Sequence, residues 1–357
     1  MKSYCKGLVL DEARFVSAIG EWRGSQSGRK NWHRVEQEHG SARALAARLA
    51  EEVRERRLMT RPIARHLEVD PSSGKVRDIG IASVKQQVLD YAVIGALMPM
   101  FERHIGRWQM AGIRGRGQLR AALAVRRWAR RRDAAWFAQL DIRKFYPSVP
   151  HSVVMGLLRK YVRSDDVLYT TSYLLSTYGD GVGLNIGSAL SIWLGNWLLS
   201  FAYHHLESLG KVRRGRRVSL VTHQVWYLDD HVVWARSKRD LKVAVRSLVR
   251  FVGERLGVSH KPWKPCLTAR EPVNLCGYPT TPVRVRMRGR TFLRARRAFR
   301  RFLRRPGLSL ARRVISYWGF VRHADARRFA EREMVPLAVS RARRLVSTTD
   351  RGSCQCA

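Results

Sequence analysis

The sequence predicts an α+β protein in which helices pack around antiparallel hairpins, and three patterns carry that prediction. Apolar residues recur at a 3.6-residue period in several long runs, as in SARALAARLAEEVRERR at residues 41–57. Two stretches read as strand, turn and strand: RPIARHLEVDPSSGKVRDIGI at residues 61–81 and QVWYLDDHVVWAR at residues 224–236. Hydrophobic residues make up 45% of the 357, enough for a sizeable core, which excludes global disorder.

The elements follow in order. Residues 1–60 read as helical and mixed in charge, and residues 61–81 as a hairpin about a Pro-Ser-Ser-Gly turn. A helix over SVKQQVLDYAVIGALMPMFERHI leads to a glycine-rich basic loop, AGIRGRGQ, and a second helix, LRAALAVRRWARRR. Then come a strand, AAWFAQLDI, a helix, VVMGLLRKYV, and a charge-free stretch over residues 181–203, read as a buried glycine-led helix. GKVRRGRR reads as a basic loop before the Asp-Asp hairpin, and KRDLKVAVRSLVRFVGERLG as a helix after it. Past Pro279–Pro282, the best candidate for a domain boundary, TFLRARRAFRRFLRR puts Phe292, Ala295, Phe299, Phe302 and Leu303 on one helical face and arginines on the other.

Charge narrows the partners. Against 28 Asp and Glu stand 68 Lys and Arg, a formal net charge of +40, and no acidic residue occurs from Pro272 to Ala324. A polyanion that neutralises such self-repulsion is most simply nucleic acid. A membrane surface is the competing partner, since residues 181–203 are long enough to span a bilayer of ~20 apolar residues. Asn185, Ser188, Ser191, Asn196 and the glycines there favour the buried helix. The five cysteines (Cys5, Cys266, Cys276, Cys354, Cys356) show no zinc spacing and no signal peptide precedes them, which points to a cytoplasmic protein with a reduced Cys-Gln-Cys tail.

Paired carboxylates in so basic a chain need a reason. Asp229 and Asp230 sit at the bend of an apolar hairpin, and Asp141 ends a strand. Either alone reads as a turn former or cap. Together they place three carboxylates on two strand ends, an arrangement able to bracket two divalent ions about 3.5–4 Å apart for in-line phosphoryl displacement.

With those residues in view, the chain resembles a bacterial reverse transcriptase of the retroelement kind. DIRKFYPSV is similar to motif A, GLNIGSALSIWLGN to motif B, YLDD to motif C, LGVSHKPWK to motif D and VNLCGY to motif E. GKVRDIGI resembles the fingers hairpin, and SYWGFVRHAD the basic thumb. The order matches across roughly residues 60–280. The resemblance implies a right-hand polymerase fold: an N-terminal helical extension over 1–60, fingers and palm over 61–280 with an antiparallel sheet and the Tyr-x-Asp-Asp hairpin, and a basic helical thumb and tail over 281–357.

It also implies roles. Asp141, Asp229 and Asp230 match the metal-binding carboxylates, with the Ile142 carbonyl as a further ligand of two Mg²⁺ ions. Tyr146 stands at the position of a steric gate that excludes a ribose 2′-hydroxyl. Lys75 and Arg77 match the fingers residues that clamp a triphosphate. Lys264 stands where motif D has a lysine able to protonate pyrophosphate, with Lys261 as a rival. Gly187 keeps room for nucleotide and template backbone, and Ile186 replaces the glutamine of many relatives. That aliphatic residue resembles the error-prone enzymes of diversity-generating retroelements, although Ile192 stands where their pattern has Gln after Ser191. Arg114, Arg116, Arg294, Arg297, Arg301 and Arg304 would grip template–primer phosphates.

The implied activity is RNA-directed DNA synthesis from dNTPs on an RNA template, a dedicated non-coding RNA, giving a DNA product, with a protein partner or homo-oligomer and no membrane. The short tail leaves no room for an endonuclease or maturase domain, which favours antiphage defence or a diversity-generating role. The rival readings are a catalytically silent RNA-binding relative, a membrane-associated basic protein and an RNA-dependent RNA polymerase.

Overall fold

The computed structural model describes residues 5–69, 74 and 76–354, with side chains over 7–69, 74 and 76–348. Lys75, most of the Pro-Ser-Ser-Gly turn, and the side chains of Cys5 and the Cys-Gln-Cys tail lie outside the described residues. A short strand, β1 (Cys5–Lys6), leads into α1 (Glu12–Gly24), α2 (Gln26–Asn31), α3 (His33–His39) and α4 (Ala42–Arg54). Asp11, Ser25 and Ser41 cap α1, α2 and α4 by accepting from backbone N–H groups three residues on. The hairpin β2 (Ala64–Val69) and β3 (Val76–Ile81) forms as expected, Glu68 opposite Arg77. Ser83 then caps the long α5 (Val84–His104), followed by α6 (Gln118–Trp128).

The middle of the chain holds β4 (Trp136–Asp141), α7 (Phe145–Ser148), α8 (His151–Tyr161), β5 (Val162–Arg163), α9 (Asp165–Tyr178) and α10 (Ala189–Ser208). Helix α9 was not foreseen, although Ser164 caps it and Asp165 and Asp166 fill its first turn, a standard start signal. The glycine-led helix is shorter than expected. Gly181, Gly183 and Gly187 hold φ of +70°, +108° and +118°, so residues 181–188 form a loop and α10 begins only at Ala189, capped by Ser188. The expected basic loop at 210–217 is instead a ribbon, β6 (Gly210–Arg213) and β7 (Arg216–Ser219), closed by Arg214 and Gly215 at φ of +50° and +74°.

Next come β8 (His223–Tyr227), β9 (Asp230–Ala235) and α11 (Lys238–Phe251), which runs on into a π-helical turn at Val252–Leu256. β10 (Cys266–Leu267), β11 (Val273–Leu275) and β12 (Tyr278–Thr280) precede α12 (Gly289–Arg304), α13 (Leu308–Val321), α14 (Arg327–Arg332) and α15 (Val335–Cys354). Strands β10, β4, β9 and β8 form, in that order, one antiparallel sheet. Residues 108–110 cover its β8 edge through Met110 N–H to the Trp226 carbonyl and Trp226 N–H to the Trp108 carbonyl, both 2.8 Å.

Period-2 alternation gives the sheet two cores. Ala138, Leu140, Trp226, Val233 and Ala235 face α11 and share one core with α5 and α10. Phe137, Val225, Val232 and Trp234 face α6 and β11. The N-terminal helices share the first of these cores through Phe15, Ile19, Trp22, Leu45 and Leu49. Beyond β12 a separate cluster forms, with Phe299 and Phe302 of α12 packed among Val314, Phe329, Val335 and Ala338. The apolar face read from the sequence of α12 is therefore covered by the protein's own helices. Among the described residues, no helix is long and apolar enough to cross a membrane.

Candidate active site

The two strand ends meet. Asp141 lies opposite Asp230 in the β4–β9 ladder, and Tyr227 lies opposite Asp230 in the β8–β9 ladder. Between Tyr227 and Asp230 only Leu228 and Asp229 make the bend, and Asp229 accepts a bond of 3.2 Å from Ile142 N–H through its carbonyl. Leu228 is held at φ +53°, costly for a branched residue at about 1–3 kcal/mol. Packing keeps it there: Leu228 seats against α10 at Gly195, where a Cβ would stand 3.4 Å from Leu228 Cδ2 and 3.1 Å from Phe145.

The carboxylates are poorly solvated for ionised groups. Burial raises Asp229 above the usual carboxylate range, and the charge of Asp141 raises it further. Burial lifts Asp230 to about 6, opposed by a 3.2 Å hydrogen bond from Gln139 Nε2 and reinforced by the charges of Asp229 and Asp141. Asp141 Oδ1 is buried without an aligned hydrogen-bond donor, but the Lys261 ammonium stands 2.7 Å away as an ion pair. Neighbouring carboxylates on two paired strand ends are a donor set suited to hard divalent cations. Among the described residues, no three His, Cys, Asp or Glu side chains yet converge on a single point; instead Lys261 supplies the positive charge at Asp141.

The motif D lysines part company here. Lys264 is exposed and bonds Glu271 at 2.7 Å, while Lys261 reaches Asp141. The cause is backbone pairing: Lys261 N–H bonds the Asp141 carbonyl at 2.8 Å and Arg143 N–H the Ser259 carbonyl at 2.7 Å. That pairing lays residues 259–261 beside the end of β4.

Tyr146 follows from α7, with its ring edge-on to buried Phe145 at 5.7 Å. Burial pushes its phenol up to about 12, with the charge of Asp229 adding to the rise and that of Arg77 opposing it. The Tyr146 carbonyl accepts from Leu184 N–H at 2.7 Å, tying this turn to the 181–188 loop. That loop in turn clasps β3: Gly80 N–H bonds the Ile186 carbonyl at 2.8 Å. A Cβ on Gly187 would lie 2.5 Å from the Gly80 carbonyl oxygen. Gly187 is exposed, and its lack of a side chain also lets the β3 hairpin come close. The Ile186 side chain is half-buried beside it.

The basic candidates divide. Arg116 Nη1 bonds the carbonyls of Gly106 and Gln109 at 2.6 and 2.9 Å, and burial lowers its pKa. Its Nη1 thereby clamps the loop. Arg114 is exposed. Arg294, Arg297 and Arg301 line, with Arg313, Tyr317 and Phe320, a groove of about 610 Å³ between α12 and α13; Arg304 is exposed outside it.

Three polar residues escaped the sequence reading. Gln139 shares a strand face with Asp141, a period-2 signal that was there to be used. His231 stacks on Trp226 at 3.7 Å, and its Nε2 lies 3.2 Å from His260 Nε2. Burial depresses both imidazoles, His260 to about 4, so a neutral pair staples the bend to residues 259–261.

Compared with known families, residues 69–280, more than half of the chain, match the family model for reverse transcriptase (RNA-dependent DNA polymerase). No curated protein matches the chain.

Proposed function

The chain belongs to the reverse transcriptase family and is a nucleotidyltransferase of the RNA-directed DNA polymerase type, and we propose that Asp141, Asp229 and Asp230 are the carboxylates on which it extends a primer. The observation that carries this reading is the pairing of Asp141 with Asp230 across β4 and β9, beside the strained bend at Leu228. Reverse transcriptases use divalent metal ions, in general Mg²⁺. Here the three carboxylates, with the Ile142 carbonyl, are the groups that would hold two of them. Such ions, when bound, acidify a primer 3′-hydroxyl and neutralise triphosphate charge.

The chain's own residues supply the rest. Tyr146 excludes a 2′-hydroxyl by filling the space beside Asp229. Arg77, with Lys75, draws the triphosphate toward the bend. Lys261, the ammonium nearest the carboxylates, takes over the proton-donating role first assigned to Lys264. Arg114 and the thumb arginines Arg294, Arg297, Arg301 and Arg304 hold template–primer phosphates, an affinity set by charge and weakened by salt. Residues 61–280 act as fingers and palm and 281–357 as thumb, a division supported by the separate cluster around Phe299.

The reading extends to a bacterial enzyme acting in the cytoplasm on a dedicated non-coding RNA, in antiphage defence or a diversity-generating element. Sequencing the nucleic acid that copurifies with the protein identifies that template. Ile186 bears on fidelity, and comparing misincorporation by the natural protein and Ile186→Gln tests it; equal error rates remove the idea. Primer extension on an RNA template with Mg²⁺ and dNTPs is the test of the whole. We expect extension by the natural protein and none by Asp229→Ala. Extension that survives that substitution overturns the assignment.

A further inference from the structure

Gln139 makes three contacts with one carboxamide. Its Nε2 donates to the Asn274 carbonyl at 2.7 Å and its Oε1 accepts from Asn274 N–H at 3.2 Å. Both main-chain groups of Asn274 are thus satisfied by a side chain, which does for β11 what a neighbouring strand would do. The remaining Nε2 proton goes to Asp230 Oδ1, at 3.2 Å. The chain of contacts continues on the other side. Asn274 Oδ1 accepts from Arg288 Nε at 2.9 Å, and Arg288 N–H bonds the Gly277 carbonyl at 3.2 Å. Arg288 is the residue directly before α12, so the root of the last helical cluster is fastened to the β11–β12 hairpin.

A satisfied half-buried amide would be the plain account of Gln139, and it explains two of the three contacts. It does not explain why the amide is shared between a carboxylate of the catalytic bend and the hairpin that leads to the thumb. No other side-chain hydrogen bond to Asp230 occurs among the described residues, so the orientation of that carboxylate follows the amide. The amide cannot turn without losing its two bonds to Asn274. Any displacement of the hairpin therefore reaches Asp230.

We propose that Gln139 is a positioning residue that ties the rotamer of Asp230 to the seating of the β11–β12 hairpin and, through Asn274 and Arg288, to the root of the thumb. This rests on the reading of Asp230 as a metal-holding carboxylate. In that setting the tie makes the catalytic carboxylate respond to nucleic acid gripped by the thumb. Template–primer that seats α12 firmly would hold Arg288, Asn274 and Gln139 in line and keep Asp230 aimed at its ion.

The test titrates Mn²⁺ into the full chain, reading free ion by electron paramagnetic resonance, with and without an RNA template–DNA primer. The proteins are the natural chain, Gln139→Ala, Gln139→Glu and Arg288→Ala, each checked by thermal melting, with primer extension alongside. Gln139→Ala should weaken Mn²⁺ binding about tenfold, the effect of a lost hydrogen bond to a charged group. It should lower kcat while leaving the dNTP KM within about twofold. Gln139→Glu keeps the volume but replaces the donor with acceptors, and should bind Mn²⁺ differently from the natural chain even where Gln139→Ala does not fold. Arg288→Ala should lose most of the tightening of Mn²⁺ binding that template–primer brings. If the natural chain neither binds Mn²⁺ nor extends a primer, the polymerase reading fails and this inference with it. If the natural chain does both and the Gln139 variants match it within about twofold, only the positioning role is overturned.

Discussion

The Lys261 ammonium sits 2.7 Å from Asp141 Oδ1, where a positive charge offsets the crowding of three carboxylates. A lysine there holds the bend together, and on the proposed reading it would also meet the substrate phosphates. Lys264, engaged with Glu271 on the surface, is placed for neither. Lys261→Met should slow single-turnover nucleotide incorporation by about a hundredfold, the scale of a lost general acid. Lys264→Met should stay within about twofold. The reverse order in a rapid-quench measurement would return the role to Lys264.

The proposed gate at Tyr146 has its own test. Its ring is packed against Phe145 and its phenol, pushed up to about 12, stays neutral at any working pH. Shape, and not charge, would do the selecting. Tyr146→Ala should lower the dNTP-over-rNTP ratio of kcat/KM by at least about tenfold, mainly by admitting ribonucleotides. An unchanged ratio removes the gate.

Asp90 ties pH to stability. The carboxyl is wholly buried, accepting from Tyr178 at 2.8 Å and from Ser188 at 2.6 Å, and burial raises it to about 6. A carboxylate raised above its unfolded value penalises folding most above pH 6, where it is ionised. The penalty is relieved as pH falls from about 6 toward 3.8, because the folded state then binds the extra proton. Relative to Asp90→Asn, the natural chain should gain on the order of 2–3 kcal/mol between pH 7 and 4. Urea melts at both pH values check this, and a constant difference would contradict it.

The two arginines of the 111–118 loop should separate cleanly. Arg116→Ala leaves the Gly106 and Gln109 carbonyls without their donor and should cost about 1–3 kcal/mol in stability. Arg114→Ala should leave the melting temperature unchanged and lower the salt dependence of RNA binding by about one counterion. Melting curves and salt-titrated binding on the same preparations distinguish them.

Local signals made much of this legible. Asp229–Asp230 between Val-rich runs and the apolar stripe of α12 are written within a few residues of where they act. What escaped reading depends on neighbours distant in sequence. Lys261 outranks Lys264 only because its backbone pairs with Asp141, more than a hundred residues away. Gly187 read only as space for a substrate, and the approach of the Gly80 carbonyl, 2.5 Å from where a Cβ would stand, was not written beside it. The ribbon over Gly210–Ser219 was hidden by arginines, which carry little strand preference, although Arg214-Gly215 supplied the turn.

Residues 1–60 read as an appendage, yet the helices α1 to α4 are built as part of the wall. Phe15, Ile19 and Trp22 of α1 are buried in the same core as Val88, Val93 and Leu97 of α5, and Trp22 Nε1 bonds Gln87 Oε1 at 2.9 Å. Cutting the chain ahead of the β2–β3 hairpin would strip α5 of the helix that covers its apolar face. The minimal working polymerase therefore has to begin upstream of its recognisable motifs, and lesions in α1 should cripple synthesis as surely as lesions beside the aspartates.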